Sequence, residues 1–200
     1  PAGDKLVGMD VCYSGPIEAA ERVLAPYRKL GKPLRDELGP MKYTQLQTKD
    51  DARARIGRHY YTKSGFVKQL DGKLIATIVD IYAESTVPAA RIAIPAFGGA
   101  MNRVAPDATA FWHRNAAFNV IVQASSDDGS GDAPIMEWVK ARWPAIEPST
   151  IGFYANTNLS DAPADRILGV YGGNYERLVA LKKKHDPTNL FRLNANVKPS

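Results

Sequence analysis

The chain is 200 residues long, 44% hydrophobic, with a net charge of +5 and a single cysteine. That length and apolar content support one buried core. The lone Cys12 excludes an internal disulfide framework and any multi-cysteine metal site. The basic balance invites a nucleic-acid or anionic partner, but the charges are scattered and no nucleic-acid motif accompanies them, so neither nucleic acid nor membrane is expected as a partner.

In chain order, Leu6 to Tyr13 alternates as a strand would and places Cys12 as a packed strand residue. Gly15-Pro16 opens a helix whose apolar positions (Ile17, Ala20, Val23, Leu24, Tyr27) fit a period of 3.6, closed by Gly31 and Pro33. Residues 33–51 read as a connecting region. Arg58 to Gly65 is aromatic and β-branched, hence a strand. Leu74 to Ile81 reads as helix and Ala90 to Ile94 as a strand, followed by a glycine-marked bend at Phe97 to Met101. Ala110 to Arg114 and Ala117 to Gln123, separated by Asn115-Ala116, predict an antiparallel hairpin. After a polar loop, Ile135 to Trp143 predicts an amphipathic helix stopped by Pro144. Ser149 to Ala155 reads as a last strand, and Ser160 to Leu168 as a loop with a short helix.

The final stretch is the most patterned. Gly172 and Gly173 break what precedes them, and Asn174 suits an N-cap. Tyr175, Leu178 and Leu181 recur at helical spacing, while Lys182 to His185 complements the exposed carbonyls of the last turn before Pro187. In the polar tail, Phe191 and Leu193 are apolar anchors. Asn194 and Asn196, two apart, would present both amides to one side of an extended chain, or simply cap a terminal turn. Strands joined through both hairpins and helices predict an α+β fold, an antiparallel β-sheet with helices packed on one face.

Tyr171-Gly-Gly-Asn-Tyr-Glu-Arg-Leu178, the Lys-rich helix, Asp186-Pro-Thr-Asn-Leu-Phe-Arg-Leu-Asn-Ala-Asn196 and Pro199 together resemble the C-terminal signature of the berberine-bridge-enzyme-like FAD-linked oxidases of the vanillyl-alcohol-oxidase superfamily. Gly39 to Gln47, Arg58 to Phe66, Gly98 to Val104, Ala110 to Arg114 and Gly152 to Asn156 resemble, in order, the substrate domain of that family. The resemblance implies a substrate-binding domain over residues 1–168 and a C-terminal segment, 169–200, that packs on an FAD-binding domain. Nothing here matches the glycine-rich FAD domain, which in the family lies N-terminal. The chain therefore reads as the substrate-domain portion of a larger flavoprotein, inactive alone, with FAD bound mainly elsewhere.

The implied reaction is oxidation of an alcohol or amine carbon of a small molecule, with hydride passing to flavin and dioxygen as final acceptor. Tyr154 matches the tyrosine that serves as base in sugar-oxidising relatives; read from the residues alone, it could equally be a core tyrosine. Thr157 departs from the aromatic residue usual at the end of that segment. Asn194 and Asn196 are the expected flavin contacts. Lys63 beside Tyr61 could reach the active-site face, His113 could act as a base or be structural, and Asn102 follows a glycine pair suited to a pocket wall. The dispersed His59, His113 and His185 predict no metal site. The competing expectation is a stand-alone α+β ligand-binding module without redox activity. A cytoplasmic location is expected, with an upstream targeting segment left open by the absence of an initiating methionine.

Overall fold

In the computed structural model, which describes residues 4–54, 56–87, 89–157, 164–193 and 195–199, the chain divides into two compact units, Pro1–Ile56 and Gly57–Ser200. The elements in order are α1 (Ile17–Arg28), α2 (Tyr43–Thr48), β1 (His59–Val67), α3 (Gly72–Ala83), β2 (Arg91–Ala93), α4 (Ala100–Arg103), β3 (Phe118–Ser126), α5 (Asp132–Ile146), α6 (Ala164–Tyr171) and α7 (Tyr175–His185). α6 runs across the 168/169 boundary read from the sequence.

In the first unit, α1 forms where the periodicity places it, yet none of its residues is buried. Leu6 to Tyr13 forms no strand, and Cys12 is exposed rather than packed. Alternation alone is insufficient, because a strand needs a neighbouring edge to satisfy its N–H and C=O groups. The unit is tied by polar contacts instead: Lys49 Nζ meets Asp10 at 2.6 Å, and the Arg28 guanidinium donates to Asp36 at 2.6 Å and to the Leu38 carbonyl at 3.1 Å. Residues 43–48 of the unassigned connection form α2, whose Lys42 N–H is capped by the Gln45 amide.

The second unit is built on a three-stranded antiparallel sheet of order β1-β3-β2. β1 and β3 pair over nine residues, from His59 opposite Ser126 to Val67 opposite Phe118. Successive side chains alternate between faces, and the register sorts them. Tyr61, Gly65 and Val67 share one face with Val120, Val122 and Ala124, and there α3 and α5 close the core with Leu74, Ile78, Ile81, Ile135, Trp138, Val139, Trp143 and Ile146. Gly65 is needed at this seam, since a Cβ there would meet Thr150 and the Trp143 indole. This is the α+β arrangement the pattern predicts.

Three expectations need correction. Residues 110–117 are not a strand, so β3 has no hairpin partner before it; it pairs with β1 and β2 instead. His113 turns inward and Phe111 packs on Phe66, and Arg114 spans its own loop by donating to the Phe111 and Met101 carbonyls. α5 does not stop before Pro144 but runs to Ile146. Proline removes one helical N–H late in the helix, and the burial of Trp143 before it and Ile146 after it holds the last turn. Ser149 to Ala155 is not a strand: its pairing is the single bridge of Gly152 with Phe66, where Phe66 N–H donates to Gly152 and Ile151 N–H to Phe66, both at 2.8 Å.

Asn174 sits at the α7 N-cap but makes no cap bond. Its buried amide instead donates to the Pro106 and Thr109 carbonyls at 2.7 and 2.9 Å, tying the helix start to a distant loop. The glycine pair before it accommodates Trp112. Gly172 has φ +49°, and a Cβ on either Gly172 or Gly173 would enter the indole. Gly172→Ala is therefore expected to cost about 1–2 kcal/mol for the left-handed backbone alone, with displacement of Trp112 added. A lowered Tm on thermal unfolding checks this, with Gly72→Ala, where space is open, as the unaffected control.

A candidate active site on the open sheet face

The sheet face away from the core helices carries Tyr60, Thr62, Ser64 and Phe66 from β1, Asn119, Ile121, Gln123 and Ser125 from β3, and Arg91 and Ala93 from β2. Beyond Phe66, Ile121 and Ala93 it is polar, with the Gln123 amide donating to the Thr62 hydroxyl at 3.0 Å. Phe66, 1% exposed, anchors one end. Its ring packs against Phe97 at 5.6 Å, Phe111 at 5.5 Å, His113 at 5.0 Å and Tyr154 at 6.4 Å between centroids.

Tyr154 stands at the rim of this cluster, 38% exposed, with its ring edge-on to Phe66. The Asn156 amide donates to the phenolic oxygen at 3.0 Å. A phenol has one hydrogen and two lone pairs, so this contact occupies one acceptor position and leaves the hydrogen for an incoming group. The turn bearing it is fastened to β1, because the Thr157 hydroxyl meets the buried Ser64 hydroxyl at 2.5 Å.

His113 is 3% exposed and belongs to the framework of the site. Nε2 lies 2.8 Å from the Gly169 carbonyl, which assigns the proton to that nitrogen. A Cβ on Gly152 would overlap the imidazole, so glycine at 152, with φ +154°, makes room for it. Burial pushes the His113 pKa below its ordinary 6.5, and hydrogen bonds to the Gly169 and Val170 backbone offset this in part. A native pKa below the unfolded one means the unfolded chain takes up the proton first. The stability from this group is complete above 6.5, falls as pH drops through 6.5, and levels off below the native value. Thermal melts from about pH 7.5 to about pH 5 should show a decline in Tm that is smaller in His113→Asn.

Lys63 and Tyr61 do not join Tyr154. Both lie on the helix-facing side of β1, where Lys63 Nζ is 5.7 Å and Lys140 Nζ 5.4 Å from the centre of the Tyr61 ring. Strand parity carried this signal, since Lys63 and Phe66 are three apart and so point oppositely. Asn102 donates to the Ala116 carbonyl at 2.9 Å and braces a loop. Sequence reasoning missed Ser64, Phe66 and Phe111.

The tail is held by a half-buried ion pair. Asp186 accepts from Lys182 and from the backbone N–H groups of Leu190 and Phe191, at 2.8 and 3.1 Å. Lys182 also donates to the Phe191 carbonyl at 2.6 Å. Its hydrogen bond to Asp186, with those from the two backbone groups, holds that carboxyl below the usual range. The Tyr171 hydroxyl, kept protonated by a pKa that burial raises, donates to the Ala195 carbonyl at 3.3 Å. Asn194 lies outside the described residues. Asn196 Oδ1 is buried and finds no donor among the described residues. Leu190, Phe191 and Leu193 are exposed. Among the described residues, no group of three or more His, Cys, Asp or Glu could hold a metal ion, and no helix is long and apolar enough to cross a membrane.

Residues 154–198, beginning at Tyr154, match the family model "Berberine and berberine like". An FAD-linked oxidoreductase of Dictyostelium discoideum is 28% identical over 189 residues, covering 94% of this chain and 41% of that protein. The fold resembles 6-hydroxy-D-nicotine oxidase from Arthrobacter nicotinovorans with a TM-score of 0.72 at 22% identity, over 93% of this chain and 43% of that one. It also resembles berberine bridge enzyme from Eschscholzia californica, with a TM-score of 0.61 at 22% identity, over 72% and 33% of the two chains. The chain spans about two fifths of the length of the curated relatives it matches over most of its own length. The antiparallel sheet with its helix-covered back has the fold of these flavoproteins, and in sequence the chain resembles FAD-linked oxidoreductases, with a berberine-like C-terminal segment.

Proposed function

We propose that the complete protein is an FAD-dependent oxidase of a small alcohol or amine, and that the open sheet face is its substrate wall. The carrying observation is Tyr154: the berberine-like segment begins there, and its phenol stands at the rim of the Phe66 cluster, exposed and already held by Asn156. Tyr154 Oη hydrogen-bonds the substrate hydroxyl or amine and, in its phenolate form, takes the proton released as the adjoining carbon is oxidised. Arg91, Gln123 and Thr62, on the same sheet face, orient polar groups of the substrate.

The residues present fit FAD. Asn196 holds a buried acceptor without a donor, which an N–H of the flavin ring would satisfy. Asn194 is assigned to the same role by its place in the motif. When bound, FAD supplies the two-electron acceptor and its reoxidation by dioxygen. The greater part of the FAD site belongs to a domain beyond this chain. Residues 169–200 pack on that domain, with Leu190, Phe191 and Leu193 as the apolar contacts that the Lys182–Asp186 pair holds outward.

Oxygen uptake by the complete protein, assayed across alcohols and amines, tests this reading. Uptake with release of peroxide supports it. Flavin-loaded protein with no uptake on any of them counts against an oxidase.

A further inference from the structure

Tyr154 is not on a regular element. It lies between the single bridge at Gly152 and a short 3₁₀ turn, Ala155–Thr157, so its placement depends on how the segment is fastened. Among the described residues it is fastened to β1 on each side. On the N-terminal side, the Phe66 N–H donates to Gly152 and the Ile151 N–H to Phe66. On the C-terminal side, Ser64 Oγ and Thr157 Oγ1 are 2.5 Å apart. Thr157 Oγ1 is also 3.2 Å from the Tyr154 carbonyl, which can only accept. The Thr157 hydroxyl therefore donates to Tyr154, and the Ser64 hydroxyl donates to Thr157. Both anchors, Ser64 and Phe66, are buried and two apart on β1, in the part paired with β3.

We infer that Ser64 and Thr157 form a hydroxyl relay that positions Tyr154 for the reaction. The pair fixes the Tyr154 backbone to the stretch of β1 that pairs with β3, while the Asn156 amide orients the phenol. Neither hydroxyl touches substrate. Their effect passes through Tyr154, and so the inference rests on the catalytic reading of that residue.

The test uses the complete flavin-loaded protein. Thr157→Val removes the hydroxyl at nearly constant shape. It should lower kcat about 10- to 100-fold, as small misplacements of a reacting group do, with KM changed by less than about threefold. Thr157→Ser, which restores the relay, should recover kcat to within about threefold of the parent. Ser64→Ala, a small change at a buried site, should reproduce the Thr157→Val effect. Independently of activity, the backbone amides of residues 155–157 should exchange faster in Thr157→Val than in the parent. If Thr157→Val and Ser64→Ala keep the parent kcat while Tyr154→Phe loses it, the pair is merely structural and the inference falls. If Tyr154→Phe itself keeps the parent kcat, the catalytic reading fails and takes the inference with it.

Discussion

Replacing Tyr154 by phenylalanine should lower kcat by about 10²- to 10⁴-fold, the range expected when a positioned acid or base is lost. The loss should fall on turnover and on kcat/KM alike, because the hydroxyl acts as the proton moves rather than in holding the substrate. The fold should be untouched. The ring keeps its contact with Phe66, and the hydroxyl's one partner in the described structure, the Asn156 amide, is exposed and can turn to water. Flavin absorption and Tm like those of the parent would assign the loss to chemistry. Steady-state kinetics beside a visible spectrum of each protein measure this.

Phe66→Ala should have the largest effect on stability. Truncating a fully buried phenylalanine costs about 3–5 kcal/mol through lost burial and the cavity left behind. A domain's whole stability is about 5–15 kcal/mol. Phe66 is also the ring on which Phe97, Phe111, His113 and Tyr154 converge, so the loss would loosen both the site and its support. Phe191→Ala, at an exposed ring, should leave chemical denaturation of this chain nearly unchanged. Urea unfolding of the two variants separates these outcomes.

Local rules served where the packing agreed with them. α3 and β1 follow from periodicity and β-propensity, and the register of β1 on β3 puts Tyr61, Val67, Val120, Val122 and Ala124 on the helix side. The rules failed where a distant partner decided. Leu6 to Tyr13 alternates like a strand but has no neighbouring edge. Pro144 is carried through by the burial of Trp143 and Ile146. Asn174 has the chemistry of a cap, but the Pro106 and Thr109 carbonyls claim its amide. A sequence does not display such long-range claims on a side chain.

The candidate site was legible in a similar, partial way. Tyr154 and the asparagine tail were found by motif. Parity along β1 would have separated Lys63 and Tyr61 from Phe66 without any structure. The Ser64–Thr157 contact joins residues 93 positions apart, and nothing in either neighbourhood announces it. The same holds for the imidazole of His113, whose partner is a backbone carbonyl at Gly169.

The most direct test is an anaerobic titration of the complete protein with candidate alcohols and amines, followed by visible absorption. A yellow protein whose flavin band bleaches on substrate addition and returns on admitting air is the predicted result. A complete protein that is colourless and takes up no added FAD would contradict the account and leave the sheet face as a wall for ligand binding alone.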